Sequence, residues 1–200
     1  MKQNEEDYTQ DTHFIAIGAS AGGMEAIHLL FDHTPEDEVA YVIIQHLSPD
    51  HKSFMAELLE KHSKLKIFIA ESGMFVESNC VYLIPKGKNM TIKSRKLQLS
   101  DSKPNQPNMA IDIFFDSLAD DQGEKSIAVI LSGTGKDGTK GAEAIKNNGG
   151  FVIVQDRETA KFKGMPNSAI ESGNVDVIRS PQLIPEEIIY HLQMVFLEKD

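Results

Sequence analysis

The sequence contains one cysteine and no tryptophan, and none of its apolar runs reaches the length of a membrane span. A single thiol, Cys80, cannot form an internal disulfide, and no Cys/His cluster has the spacing of a zinc site, so no metal is predicted. Residues 1–12 are polar and acidic, which excludes a signal peptide and a membrane anchor. These absences predict a cytoplasmic protein without direct membrane insertion.

Basic residues are also few. The chain has 20 Lys and Arg against 30 Asp and Glu, which gives a formal net charge of -10 and a pI near 5.1. Nucleic acids and anionic membranes attract clustered positive charge, so neither is a predicted partner. The 200 residues, 40% of them hydrophobic, suffice for one full-sized core. We predict a flexible leader over residues 1–12 and a single domain over residues 13–200.

Apolar runs rich in β-branched residues alternate with stretches of helical periodicity along the chain. Buried parallel strands are predicted by HFIAIGA, AYVIIQH, SIAVILSG and FVIVQD, and helices by GGMEAIHLLFDH, MAIDIFFDSLADDQG and GTKGAEAIKNNGG. This alternation predicts an α/β fold, a doubly wound and mostly parallel sheet with helices on both faces. A small antiparallel hairpin is predicted as an addition in the region 80–100, where NMTIKSRKLQLS has a polar tip.

The residues that follow the strands are the candidates for chemistry, because open parallel sheets bind ligands beyond the carboxyl ends of their strands. The segment Gly18–Gly22 reads GASAG and satisfies the G-x-S-x-G pattern of a nucleophile elbow between a strand and a helix. In this interpretation the turn exposes the Ser20 hydroxyl, and the helix N-terminus supplies amide donors. The alternative is that Ser20 is only a helix N-cap.

Two further candidates follow other strands. His46 comes directly after AYVIIQ, where it is either a catalytic base or a hydrogen-bonded structural residue. Asp137 lies in LSGTGKDGTKG, where it can orient an imidazole. The alternatives for this segment are a phosphate-binding loop and an Asp-Gly turn in which Asp137 caps a helix. The Walker spacing is missing, and Ser20 replaces a required glycine of the dinucleotide-binding fingerprint.

Ser20, His46 and Asp137 therefore predict a triad whose members follow three strands of one sheet. The order along the chain is Ser, His, Asp. The α/β-hydrolase order of Ser, acid, His would instead need His191 as the base, from the middle of the closing helix, and we reject it on position. Unrelated folds are known to carry the same three roles.

Six segments in order, over about residues 13–195, carry a family resemblance. They read IGASAGGMEAI, VIIQHLSPDHKSFMAELL, VYLIPKGKNM, AIDIFFDSLA, VILSGTGKDGTKGAEAIKNNGG and VQDRETAKFKGMPNSAI. They resemble the catalytic domain of the CheB-type chemotaxis protein-glutamate methylesterases. The resemblance implies that Ser20 is the nucleophile, His46 the general base and acid, and Asp137 the residue that orients His46. This is the triad that the strand positions predict.

The resemblance also implies the reaction and the partners. The family hydrolyses glutamate γ-methyl esters on the cytoplasmic helices of methylated chemoreceptors, and members can also deamidate receptor glutamines. The resemblance implies no metal or organic cofactor. A fused or separate methyltransferase or receiver domain is a further expected partner, since SGTG resembles the versions fused to a methyltransferase domain and many relatives carry a receiver domain.

Two positions depart from the family pattern. Ala21 stands where well-studied relatives have a threonine, and Thr134 stands where many have a methionine. We expect backbone amides near these two residues to bind the oxyanion of the tetrahedral intermediate.

Substrate contacts are predicted at Lys136 and Lys140, with Lys161 and Lys163 as further candidates that would offset the negative charge of the protein; solvated surface lysines are the alternative. Met165 either shapes the cleft or packs in the core. Other function classes stay open at this point: a non-catalytic domain that docks to receptors, a nucleotide-binding module and a general serine esterase.

Overall fold

The computed structural model describes residues 12–35, 39–45, 52–103 and 109–197. Nine strands run through these residues: β1 Phe14–Ala19, β2 Ala40–Gln45, β3 Lys66–Ile69, β4 Cys80–Leu83, β5 Lys88–Lys93, β6 Lys96–Asp101, β7 Ser126–Ile130, β8 Phe151–Gln155 and β9 Val177–Arg179. The α-helices are α1 Gly23–Phe31, α2 Lys52–His62, α3 Ala110–Gln122, α4 Thr139–Asn147, α5 Gly164–Ser172 and α6 Ile184–Leu197. Among the described helices, none has both the length and the apolar character of a membrane span.

Seven of these strands form one parallel sheet in the order β3-β4-β2-β1-β7-β8-β9. The strands β5 and β6 pair with each other in a separate antiparallel hairpin. The predicted α/β fold with a doubly wound sheet and a small hairpin is thus confirmed. The antiparallel part is smaller than predicted, because β4 at the start of the region 80–100 belongs to the parallel sheet.

The two faces of the sheet carry separate hydrophobic cores. Alternate residues of β1 point to opposite faces, so that Phe14 and Ala16 enter one core while Ile15 and Ile17 enter the other. The hairpin, α3, α4 and α5 cover the first face, and α1, α2 and α6 cover the second. Helices on both faces explain why all six residues of β1 are buried.

The ends of the predicted domain are described in part. Residues 1–11 of the predicted leader lie outside the described residues, whereas Thr12 is buried with a relative exposure of 7%. The division into a leader and one domain stays a prediction.

Candidate active site

The connections of the sheet reverse direction between β1 and β7. From β1 the chain crosses to β2 on one side, and from β7 it crosses to β8 on the other. Such a switch point leaves a crevice beyond the carboxyl ends of the two strands, where ligands of this fold class bind. Ser20 directly follows β1, and the β7–α4 loop (residues 131–138), which contains Asp137, directly follows β7.

Ser20 lies in a tight turn between β1 and α1. Its N–H donates to the carbonyl oxygen of Ser132 at 3.0 Å, and its own carbonyl accepts from the Gly23 N–H at 2.9 Å. The N-cap of α1 is Gly22, with a left-handed φ of 71° and no side-chain cap. The alternative that Ser20 is the helix N-cap is therefore wrong. Among the described residues, no group hydrogen-bonds the Ser20 hydroxyl, which is half-buried.

Ser132, which the sequence analysis did not single out, connects three segments around the turn. Its hydroxyl donates to the carbonyl of Ala21 at 2.9 Å and accepts from the N–H of Phe162 at 3.0 Å. Its own N–H donates to Oε1 of Gln155 at 2.8 Å. This buried serine thus fixes the serine turn to the β7–α4 loop and to the β8–α5 loop (residues 156–163). Its only signal in the sequence is its position two residues beyond a buried strand.

Gly133 lets the β7–α4 loop approach Ser20 closely. The Gly133 N–H donates to the carbonyl of Phe162 at 3.1 Å, and its carbonyl accepts from the N–H of Met165 at 3.0 Å. A Cβ atom at this position would lie 3.0 Å from Cβ of Ser20 and 2.1 Å from Sδ of Met165. The backbone of the loop therefore forms one wall of the crevice beside the serine.

Gly133→Ala is expected to lower the free energy of unfolding by about 1–3 kcal/mol, because the added methyl overlaps a buried side chain. It should also lower activity by displacing the loop from Ser20. Met165→Ala removes the closest clashing atom, so the two substitutions together should cost less than the sum of their separate effects in urea denaturation. Strictly additive costs would contradict the contact between these two residues.

Two backbone amides beside the serine have no acceptor among the described residues and can bind a ligand. Within the described part of the chain, neither the Ala21 N–H nor the Thr134 N–H donates to a protein acceptor. Ala21 is half-buried and Thr134 is exposed. Amides of this kind, on the two segments that flank a serine hydroxyl, are suited to stabilise an oxyanion.

Asp137 is buried, with a relative exposure of 6%, and its carboxylate binds the start of α3. One oxygen accepts from the N–H of Ile111 at 3.1 Å and the other from the N–H of Asp112 at 2.9 Å. The N-cap of the helix that follows Asp137 is Gly138, with no side-chain cap. The alternative that Asp137 caps its own helix is therefore wrong; it caps a helix that begins earlier in the chain.

Asp112 makes the reciprocal contact, and sequence reasoning missed it. Its Oδ1 accepts from the N–H groups of Gly138 and Gly141, both at 2.8 Å. Asp137 thus accepts hydrogen bonds from amides at the start of α3, and Asp112 accepts them from amides at the start of α4. Helix N-termini are positions where a negative charge is stabilised. The pair locks the β7–α4 loop to α3. An acidic residue inside the apolar run AIDIFF was the available signal.

Burial raises the pKa of Asp112 above its ordinary value of 3.8; the N–H groups of Gly141 and Gly138 oppose this rise, and the negative charge of Asp137 adds to it. The folded chain therefore holds this proton more tightly than the unfolded chain does. Ionisation of Asp112 accordingly destabilises the folded state, and this part of the stability is lost as pH rises from about 3.8 through the folded pKa.

Asp112→Asn keeps an oxygen for the two glycine amides and cannot ionise. We expect the free energy of unfolding of this variant, relative to that of the unsubstituted protein, to increase between pH 4 and pH 7 in urea denaturation. A relative stability that stays constant or falls over this range would contradict the assignment.

His46 lies outside the described residues, so its role stays a prediction. The residue before it, Gln45, ends β2 and pairs in register with Ala19, the residue before Ser20. His191, rejected above as a base, stacks on Phe151 with ring centroids 3.9 Å apart. Phe151 begins β8, so His191 lies at the opposite edge of the sheet from Ser20.

The predicted substrate contacts differ in their surroundings. Lys136 and Lys140 are exposed, as are Lys161 and Lys163. Nζ of Lys163 forms an ion pair with Glu158 at 3.0 Å. Met165 has a relative exposure of 1% and packs in the core, which favours the packing interpretation of this residue over a substrate contact. The lysine contacts stay predictions.

Comparison with known proteins gives consistent matches. The profile of the family described as CheB methylesterase matches residues 15–188. A Thermotoga maritima protein named protein-glutamate methylesterase/protein-glutamine glutaminase is 37% identical over 182 residues, which cover 88% of this chain and 53% of that protein. An Archaeoglobus fulgidus protein of the same name is 30% identical, over 92% of this chain and 55% of its own. The chain spans about half the length of these relatives.

A solved structure matches over almost its whole length. The crystal structure of the Thermotoga maritima CheB methylesterase catalytic domain superimposes with a TM-score of 0.81 and 34% sequence identity, and the match covers 90% of this chain and 99% of that domain. The described fold and this catalytic domain therefore share one architecture.

Proposed function

This chain belongs to the CheB methylesterase family, and on that premise we propose that it hydrolyses glutamate γ-methyl esters on the cytoplasmic helices of chemoreceptors. Deamidation of receptor glutamines is the second reaction of the proposal, because both reactions are acyl transfers. The proposal places the protein in the cytoplasm, where these helices lie. A receiver or methyltransferase domain, fused or separate, is the proposed regulatory partner.

One observation carries the proposal. At the switch point of the sheet, the Ser20 hydroxyl is not used by any described residue to cap the helix or fix the turn, and two amides without protein acceptors flank it, those of Ala21 and Thr134. If the serine turn had only a structural role, its hydroxyl and these two amides would be expected to form hydrogen bonds within the protein. Their availability supports a nucleophile beside an oxyanion site.

In the proposed mechanism, the Ser20 oxygen attacks the ester carbonyl carbon while His46 takes the hydroxyl proton. The amides of Ala21 and Thr134 hold the negative oxygen of the tetrahedral intermediate. His46 then returns the proton to the leaving methoxide, which departs as methanol; a glutamine substrate loses ammonia at this step. Water activated by His46 hydrolyses the acyl-enzyme and frees Ser20.

Asp137 has two roles in this proposal. Its carboxylate holds the start of α3, as described above, and it orients the imidazole of His46 and stabilises the imidazolium that forms. The product glutamate adds one negative charge to the receptor helix per turnover. That change in charge is the signal that the reaction would leave on the receptor.

The test is release of labelled methanol from methyl-esterified receptor by the full chain. We expect turnover on the receptor and at least about tenfold lower kcat/KM on a short esterified peptide of the same sequence, since remote contacts contribute to transition-state binding. Receptor binding without methanol release would overturn the proposal in favour of a docking domain. Equal rates on the receptor, the peptide and small activated esters would overturn it in favour of a general esterase.

A further inference from the structure

Two histidines and one aspartate form a compact surface cluster away from the serine. His28 lies in the last turns of α1, Asp32 is the C-cap of the same helix, and His62 is the last residue of α2. His62 Nδ1 is 2.7 Å from Asp32 Oδ1 and 3.1 Å from His28 Nε2, and His28 Nε2 is 3.2 Å from Asp32 Oδ2. The spacing of four residues between His28 and Asp32 places both on one side of the helix.

The three contacts join four atoms, two ring nitrogens and both carboxylate oxygens, and protons on the nitrogens do not satisfy all three. If each ring nitrogen carries a proton, both can donate to the carboxylate, but the two N–H groups then face each other across 3.1 Å. If one nitrogen lacks its proton, its lone pair can accept from the N–H of the other ring, but it then also faces a carboxylate oxygen of Asp32, which is itself an acceptor. A cation at the centre would instead accept a lone pair from each ring nitrogen and from the carboxylate.

The distances also fit a bound ion. Bonds from Zn²⁺ to imidazole nitrogen and carboxylate oxygen are about 2.0–2.2 Å, and a tetrahedral arrangement then separates neighbouring ligand atoms by about 3.3 Å. The two ring nitrogens, 3.1 Å apart, and the contact of 2.7 Å from His62 Nδ1 to Asp32 Oδ1 are slightly shorter, while the other carboxylate oxygen lies 3.2 Å from His28 Nε2. One ligand atom from each residue lies within 4.8 Å of the other two. A small outward movement of the side chains is therefore enough to admit the ion.

We propose that His28, Asp32 and His62 bind one divalent transition-metal ion of the Zn²⁺ class. Two imidazoles and one carboxylate suit Zn²⁺ and its neighbours, whereas Mg²⁺ and Ca²⁺ require mainly oxygen ligands. The three side chains are about one-third exposed, at 33%, 34% and 29%, so an ion can enter and water can take the fourth position. Lys61 and Lys64 line the adjoining cavity and lower the affinity for a dication.

The proposed ion is a brace between two helices and takes no part in the ester chemistry. α1 begins beside Ser20 and has nine residues, so His28 and Asp32 lie about 8 and 13 Å further along the helix axis. Bound metal would join the C-terminal ends of α1 and α2, which without it are linked by the contacts of His62 to Asp32 and His28. The sequence search for Cys/His spacing missed the group because His62 is 34 residues away from His28.

Titration calorimetry with ZnCl₂ on the full chain, after removal of metals with EDTA, tests the site. We expect one ion per chain, no binding of Mg²⁺ or Ca²⁺ at the same concentrations, and a rise in Tm of about 5–10 °C at a hundredfold excess over Kd. Heat without saturation at one equivalent, or no rise in Tm, would overturn the proposal.

Substitutions locate the ion. His28→Gln and His62→Gln should each weaken Zn²⁺ binding at least about tenfold. The matched control is His33→Gln, which removes an exposed histidine next to Asp32 whose ring contacts the carbonyl of Leu29 at 3.0 Å. This control should bind Zn²⁺ as the unsubstituted protein does. If His33→Gln weakens binding as much as His62→Gln, or if none of the three variants changes the affinity, the assigned ligands are wrong. Thermal unfolding without metal verifies that each variant is folded.

Discussion

Ser20→Ala is expected to lower kcat for methanol release from methylated receptor by about four to six orders of magnitude, with no comparable loss of stability. The structure explains why stability should be retained. No described residue hydrogen-bonds the Ser20 hydroxyl, and Gly22 rather than Ser20 is the N-cap of α1. Replacing the hydroxyl by hydrogen should therefore change the free energy of unfolding by no more than about 0.5 kcal/mol. Methanol release and urea denaturation of the same preparation measure the two effects.

Ser132→Ala is the matched control, because it removes a hydroxyl from the same crevice with the opposite pattern of contacts. The Ser132 hydroxyl donates to Ala21 and accepts from Phe162, so its loss should cost about 1–3 kcal/mol of stability. Its effect on kcat should stay far below that of Ser20→Ala. Equal methanol release by Ser20→Ala and the unsubstituted protein would remove the serine from the mechanism.

The regular parts of the fold could be predicted because burial on both sides makes a parallel strand apolar throughout. FIAIGA and AYVIIQ read as strands for that reason, and all residues of both are buried. The extent of the antiparallel addition was harder to predict. The short run CVYL is equally apolar whether its neighbours are parallel or antiparallel, and only its pairing with β2 and β3 decides the matter.

The site was predictable where it depends on strand ends and was missed where it depends on contacts distant in sequence. Ser20 and the loop that contains Asp137 follow neighbouring strands, and the parallel topology alone brings them to one edge. The exchange of caps between Asp112 and Asp137 joins residues 25 apart, and a pattern within one helix or loop carries no sign of it. The same holds for Ser132, whose partners lie on three segments.

Asp137 caps a different helix from the one that its position in the sequence favours. An aspartate followed by glycine before a helix favours a cap of that helix, and the expectation was that Asp137 either does this or orients a base. Asp137 instead caps α3, so its conformation is fixed from outside its own loop. A buried carboxylate held in this way by two backbone amides has a fixed position before any base binds to it, which is the preorganisation that the proposed role requires.

Asp137→Asn is expected to lower kcat by about four orders of magnitude, the cost of losing an orienting aspartate in a serine triad. It should also cost about 1–3 kcal/mol of stability, since asparagine offers one oxygen where the carboxylate uses two, for the amides of Ile111 and Asp112. The two losses must be measured separately. Activity is therefore compared at a temperature and pH at which circular dichroism and urea denaturation show the variant to be folded.

Asp112→Asn is the control for loss of a buried carboxylate beside this loop, because it removes a neighbouring carboxylate while keeping the hydrogen bonds. Asp112 uses a single oxygen, Oδ1, for the amides of Gly138 and Gly141, and an asparagine oxygen can replace it. Its kcat should therefore change less than about tenfold. If folded Asp137→Asn also retains kcat within tenfold of the unsubstituted protein, Asp137 only caps α3, and the proposed triad loses its carboxylate. A large loss in the folded Asp137→Asn variant beside a small one at Asp112 supports a role for Asp137 beyond the cap, since it shows that removing a buried carboxylate from this pair is not in itself what lowers kcat.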